Sequence, residues 1–138
     1  MRSNRYLDGH FILDYAENKG AALSFGANLP ANQAVWVLEV LPGVILVILL
    51  IYIIKNIKHF SQFSIICFAG LFSGGFANLV DRLQNKRQVI DFMIVNIGSF
   101  QTGIFNFADV FISFGVLGLL VSSIFSKGNV PDSKKLNK

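Results

Sequence analysis

Two carboxylates, two carboxamides and a guanidinium stand in this sequence where ionisable groups are costly. Ser73-Gly74-Gly75-Phe76-Ala77-Asn78-Leu79-Val80-Asp81-Arg82 closes one apolar run. Val89-Ile90-Asp91-Phe92 follows in a polar-flanked connection, and Phe105-Asn106-Phe107-Ala108-Asp109 opens another apolar run. An ionisable group at the end of a segment apolar enough to enter a bilayer marks a functional site by default. Asp91 and Asp109 each follow an apolar residue at such a boundary. Two carboxylates brought together in a low dielectric cannot both ionise, so they share a proton. One then acts as base on a water while its neutral partner donates to a developing oxyanion. Acidic pairs also bind ions, so the pair alone does not decide the chemistry.

The spacing adds to it. Asn78 and Arg82 are four apart and share a helix face, and Asn106 and Asp109, three apart, share another. An Asn can donate to one group and accept from another, which suits holding a carboxylate or a peptide backbone. Arg82 can neutralise a carboxylate or bind a substrate carbonyl or a lipid phosphate. Other residues carry plainer readings. Asp81 reads as the ion-pair partner of Arg82 at a helix end, and Gly70 and Gly74 as a small-xxx-small helix contact. Glu39 reads as an interfacial residue with its head in water, His10 and His59 as surface residues, and Cys67 as a small apolar filler.

These residues need elements to position them. The chain has 138 residues, is 53% hydrophobic and only 14% charged, and contains 14 Phe. That is far below the charge of about 25% in soluble domains, and it fits one integral membrane domain, residues 1–126. The net charge of +4 is not a nucleic-acid face, since Lys55 and Lys58 lie between apolar runs and Lys127, Lys134, Lys135 and Lys138 lie at the end. One Cys excludes an intramolecular disulfide, and Met1 to Tyr15 holds no continuous apolar core of a secretory signal.

Spans are expected at about 34–54, 63–80 and 104–125. The first is interrupted by Glu39 and Pro42, and the third holds Asn106 and Asp109 in its first two turns. Before them, alternation sets Phe11, Leu13 and Tyr15 against Ile12, Asp14 and Ala16, predicting a half-buried strand within an external region at about 7–27. Asn28, Pro30 and Asn32 read as turn residues. The 83–103 connection alternates around Asp91 and reads as an interfacial strand or short amphipathic helix over the site. Lysine bias puts Lys55 to His59 and a disordered 127–138 tail in the cytoplasm. Asn18, Asn78, Arg82, Asp91, Asn106 and Asp109 then converge at the external face.

Four blocks together resemble lipoprotein signal peptidase (signal peptidase II): Asn18-Lys19-Gly20-Ala21-Ala22, Gly74 to Arg82, Val89 to Phe92, and Phe105 to Asp109. The resemblance covers about residues 7–126. It implies a mainly α, polytopic membrane helical bundle with a small external β-cradle, in a bacterial cytoplasmic (inner) membrane. It implies an aspartic peptidase, without metal or cofactor, that cuts prolipoproteins before a diacylglyceryl-modified cysteine. Asp91 and Asp109 would be catalytic; Asn18, Gly20, Asn78, Arg82, Asn106 and Ala108 would line the site or position substrate. Partners would be the precursors and membrane lipid, not nucleic acid, and the chain would act as a monomer. The family pattern has four spans where three are expected here, so the chain reads as lacking the first. Lys19, Leu23 and Ala77 also depart from it. Two other readings stand beside the peptidase: an inactive or truncated relative that binds precursors, and a small proton-coupled transporter using Glu39 and Asp109.

Overall fold

Among the described residues, three helices are long and apolar enough to cross a membrane: α1 (Ala31–His59), α2 (Gln62–Gln84) and α3 (Phe107–Ser126). Such helices satisfy their own backbone groups, as hydrocarbon requires. The computed structural model describes residues 3–21 and 24–126. Ala22, Leu23 and the 127–138 tail lie outside the described residues.

Helix α1 runs through both of its expected interruptions. Pro42 has no N–H, and its ring collides with the carbonyl four residues back in an ordinary helix. Ahead of it the helix widens into a π turn over Trp36–Val40, with the Leu41 N–H bonded to the Trp36 carbonyl. The proline therefore sits in a continuous 29-residue span instead of ending one. Asn32, expected in a turn, lies in the first turn of α1, and its Oδ1 accepts from Gln33 N at 2.9 Å.

Helix α2 is capped by Ser61, whose Oγ accepts from Ser64 N at 3.1 Å. It passes the expected end at Val80 and continues to Gln84, so Asp81 and Arg82 are helical. Arg87 N closes on the Arg82 carbonyl at 2.8 Å, over Lys86 in the left-handed region at φ 52°. This is a Schellman-type stop built without glycine.

Helix α3 packs along α2, and α1 packs along α2 from another side, with little direct contact between α1 and α3. At the α2–α3 seam a Cβ on Gly74 would collide with the Ala108 carbonyl oxygen and crowd Ile112. Cys67 fills the same seam, fully buried against Gly118. Because a backbone carbonyl cannot give way, Gly74→Val should cost about 1–3 kcal/mol. A thermal melt in detergent should show a lowered midpoint; an unchanged one would mean that the seam is looser than described.

The connection before α3 is strand, not helix. A four-stranded antiparallel sheet has the order β1 (Asn4–Tyr6), β2 (Phe11–Asn18), β3 (Val89–Ile97), β4 (Phe100–Gln101). Its central register pairs Leu13 with Met93, Ala16 with Asp91 and Asn18 with Val89. Between Leu13 and Ala16, β2 carries one residue more than β3, a bulge. The extra residue brings Leu13 and Asn18 to the same face of the sheet, where strict alternation would separate them. Val89, Asp91 and Met93 occupy that face and are buried.

Candidate active site

Asp91 projects from the buried face of β3 and is only 2% exposed. The bulge in β2 puts Asn18 on the same face, and its Nδ2 donates to Asp91 Oδ2 at 3.0 Å. Asn18 is itself held, its Oδ1 accepting from Gly20 N at 2.9 Å.

The other edge of β3 delivers the second carboxylate. Phe105 exchanges backbone hydrogen bonds with Met93, its N–H donating to the Met93 carbonyl at 2.9 Å and its carbonyl accepting from Met93 N at 2.8 Å. The next residue, Asn106, precedes α3 as its cap and does not lie within the helix as expected from sequence. Asn106 Oδ1 accepts from Asp109 N at 3.0 Å, and Asp109 Oδ2 accepts from Asn106 N at 3.1 Å. This reciprocal pair is a capping box, with Asp109 in the place usually held by Glu or Gln. It locks Asp109 in the first turn, the end at which a helix favours an anion.

Asn106 also faces the other way. Its Nδ2 donates to Asp91 Oδ1 at 2.8 Å and to Asn78 Oδ1 at 3.1 Å, while Asn78 Nδ2 donates to Asp109 Oδ1 at 3.1 Å. Asn106 thus touches both carboxylates, that of Asp91 through its carboxamide and that of Asp109 through its backbone N–H, and the Asn78 carboxamide closes the ring. All four oxygens of Asp91 and Asp109 accept hydrogen bonds. Burial pushes the Asp91 carboxyl above its ordinary value; the Asn18 and Asn106 hydrogen bonds oppose this, the Asp109 charge adds to it, and Arg82 opposes it.

Arg82 is not paired with Asp81. Its Nη2 donates to the Gly20 carbonyl at 2.8 Å, and Asp81 Oδ2 instead accepts from Ile90 N at 3.4 Å, tying α2 to β3. A Cβ on Gly20 would lie 2.5 Å from the Ser24 backbone, so only glycine lets this loop turn back and present its carbonyl. Arg82 is 8% exposed, and its Nη1 is buried with no partner among the described residues.

Asn18, Asn78, Arg82, Asp91 and Asp109 line one cavity of about 460 Å³. Asn106 and Gly20 stand behind that layer as buried supports, and the Ala108 carbonyl lies against Gly74 in the helix seam. The sequence reading missed other parts of the lining, among them Leu38 and Pro42 of α1, Thr102 and Phe105 before α3, and Ser113. Ser113 lies one turn beyond Asp109, a spacing that had been visible. Glu39, expected to hold its head in water, is ion-paired to Arg87 at 3.2 Å. Among the described residues no three His, Cys, Asp or Glu side chains group to hold a metal ion.

A family model described as signal peptidase (SPase) II matches residues 1–125. The lipoprotein signal peptidase of Syntrophus aciditrophicus is 36% identical over 122 residues, 86% of this chain and 72% of that protein. That of Fusobacterium nucleatum is 36% identical over 121 residues, 86% of this chain and 67% of that protein. A solved structure described as a bacterial membrane enzyme, by the in meso method at 2.3 Å, superposes with a TM-score of 0.78 at 24% identity, covering 99% of this chain and 76% of that one. On the family match and these relatives, the chain belongs to the signal peptidase II family.

Proposed function

We propose that this protein is an aspartic endopeptidase that removes signal peptides from diacylglyceryl-cysteine prolipoproteins at the surface of a bacterial cytoplasmic membrane. The observation that carries it is the Asn106 bridge, which holds Asp91 and Asp109 to one cavity at the end of three membrane-capable helices. Asp91, buried and beside another carboxylate, carries the shared proton; Asp109, in the first turn of α3, is the base. Asp109 takes a proton from water as the resulting hydroxide attacks the scissile carbonyl carbon. The Asp91 proton passes to the carbonyl oxygen, giving a gem-diol. Asp91 then recovers a proton from one hydroxyl, Asp109 gives its proton to the leaving nitrogen, and the C–N bond breaks. Each carboxyl ends as it began.

Arg82 and Asn78 position the substrate. The Arg82 Nη1, buried beside the cavity without a partner among the described residues, offers a donor to a substrate carbonyl, since a buried donor left unpaired is costly. The apolar lining from Leu38, Pro42 and Ile112 suits a lipid-modified segment. Lys55 and Lys58, at the opposite end of the helices from the sheet, support an external active site. The direct test is cleavage of a diacylglyceryl-modified precursor by the purified protein, with a chelator present. Release of a fragment beginning at the modified cysteine supports the reading; binding without cleavage would leave a precursor-binding relative.

The hydrogen bond from Asn18 gives a pH prediction. It favours ionised Asp91, against the upward push of burial. Asn18→Ala should raise the Asp91 pKa further. Because Asp91 acts protonated, the alkaline limb of the pH–rate profile should move to higher pH. An upward shift of the acidic limb instead, with the alkaline limb unmoved, would make Asp91 the base and assign the proton to Asp109.

A further inference from the structure

We infer that Arg87 is a positioning residue: a strap that holds the α1 wall of the cavity in place through Glu39. Helix α1 supplies Val37, Leu38 and Pro42 to the cavity, opposite Ile112 and Ser113 of α3. It reaches the rest of the molecule chiefly by apolar packing on α2, such as Leu46 against Gly75 and Gly43 against Leu79. Apolar packing between helices in a membrane is weakly oriented, because lipid competes for the same surface.

Arg87 supplies what packing does not. Its Nε lies 3.2 Å from Glu39 Oε1, and its Nη1 donates to the Ala31 carbonyl at 3.2 Å. Among the described residues, these are the polar side-chain ties between α1 and any other element. They grip α1 on both sides of Val35, at the start of the helix and inside the π turn that carries Val37 and Leu38. The other end of the strap is fixed. Arg87 has φ 69°, follows Lys86 at φ 52°, and bonds through its N–H to the carbonyl of Arg82, which lines the cavity. The strap therefore joins the α1 wall to the α2 terminus that carries Arg82. The Glu39 side chain is 14% exposed and that of Arg87 50%, so the pair is partly covered yet open to salt.

The kinetic arm of the test rests on the peptidase reading; the spectroscopic arm does not. Trp36, the only tryptophan of the chain, lies in the π turn three residues from Glu39. Its fluorescence anisotropy in detergent reports how firmly that turn is held, without substrate. Glu39→Gln and Arg87→Gln should each lower the anisotropy, Arg87→Gln at least as much because it also loses the Ala31 carbonyl, and the double variant should be no lower than Arg87→Gln alone. High salt should lower it in the parent and leave the variants unmoved. For cleavage of the modified precursor, each variant should raise KM roughly five-fold with kcat held within about two-fold.

Unchanged anisotropy in both single variants, or additive loss in the double one, would overturn the strap. Lowered anisotropy with KM unmoved would overturn its role at the cavity. If the variants fail to fold, the salt titration of the parent decides, and a flat response refutes the strap. If the parent cleaves nothing, the peptidase reading fails while the anisotropy still decides whether Arg87 holds α1.

Discussion

Asp91→Asn and Asp109→Asn should each lower precursor cleavage by at least about 1,000-fold, the scale of losing an acid–base group. In the proposed mechanism, Asp109 must take a proton from water and Asp91 must deliver one in the same step. Asn can do neither at neutral pH. The paired roles make the losses non-additive, so the double variant should be little worse than either single one. Folding should be nearly unaffected by Asp91→Asn, for opposing reasons. The folded-state pKa of Asp91 is raised, so its ionised form costs stability, absent below the unfolded pKa and growing as pH rises through the folded one. Substitution removes that cost. Yet both Asp91 oxygens accept from amide N–H groups of Asn18 and Asn106, and an Asn at 91 would turn its own NH₂ toward one of them. Rates of the purified variants, set against their amounts in the membrane, separate chemistry from folding. Retention of more than about a tenth of the parent rate, a barrier change under about 1.4 kcal/mol, would end the dyad assignment.

Asn106→Ala should be the most damaging change outside the two carboxylates, because this one side chain does two jobs. It caps α3 against Asp109 N and donates to Asp91 and Asn78. Loss of the cap should cost about 1 kcal/mol of stability. Loss of the donor to Asp91 should cost roughly 2–3 kcal/mol in the barrier, about 30- to 150-fold in rate. Asn106→Ser separates the two. A serine hydroxyl can accept from Asp109 N and restore the cap, but it is too short to replace the amide between Asp91 and Asn78. Its melting midpoint should recover toward the parent while its rate stays low. Equal recovery of rate and midpoint would show that Asn106 acts through the helix terminus alone.

The sequence by itself determined the three apolar spans, the end of those spans at which the polar residues gather, and the family, through four ordered blocks whose residue types and spacings are specific together. It also determined that Gly70 and Gly74 serve a helix seam and that Cys67 is a filler, because small residues in apolar runs have few other uses. These are local properties of composition and period. Tertiary structure decided which groups meet. Alternation along β2 places Asn18 opposite to Leu13, and only the bulge against β3 turns it onto the face of Asp91. The i, i+3 spacing of Asn106 and Asp109 reads as a shared helix face. The bridge from Phe105 to Met93 makes Asn106 a cap instead, free to reach Asp91 on the next strand. Arg82 leaves its neighbour Asp81 for a carbonyl 62 residues away, and Glu39 leaves water for Arg87. A charged side chain at a membrane boundary must find a partner, but its partner is chosen by which backbone the packing brings within about 3 Å, and sequence spacing carries no record of that distance.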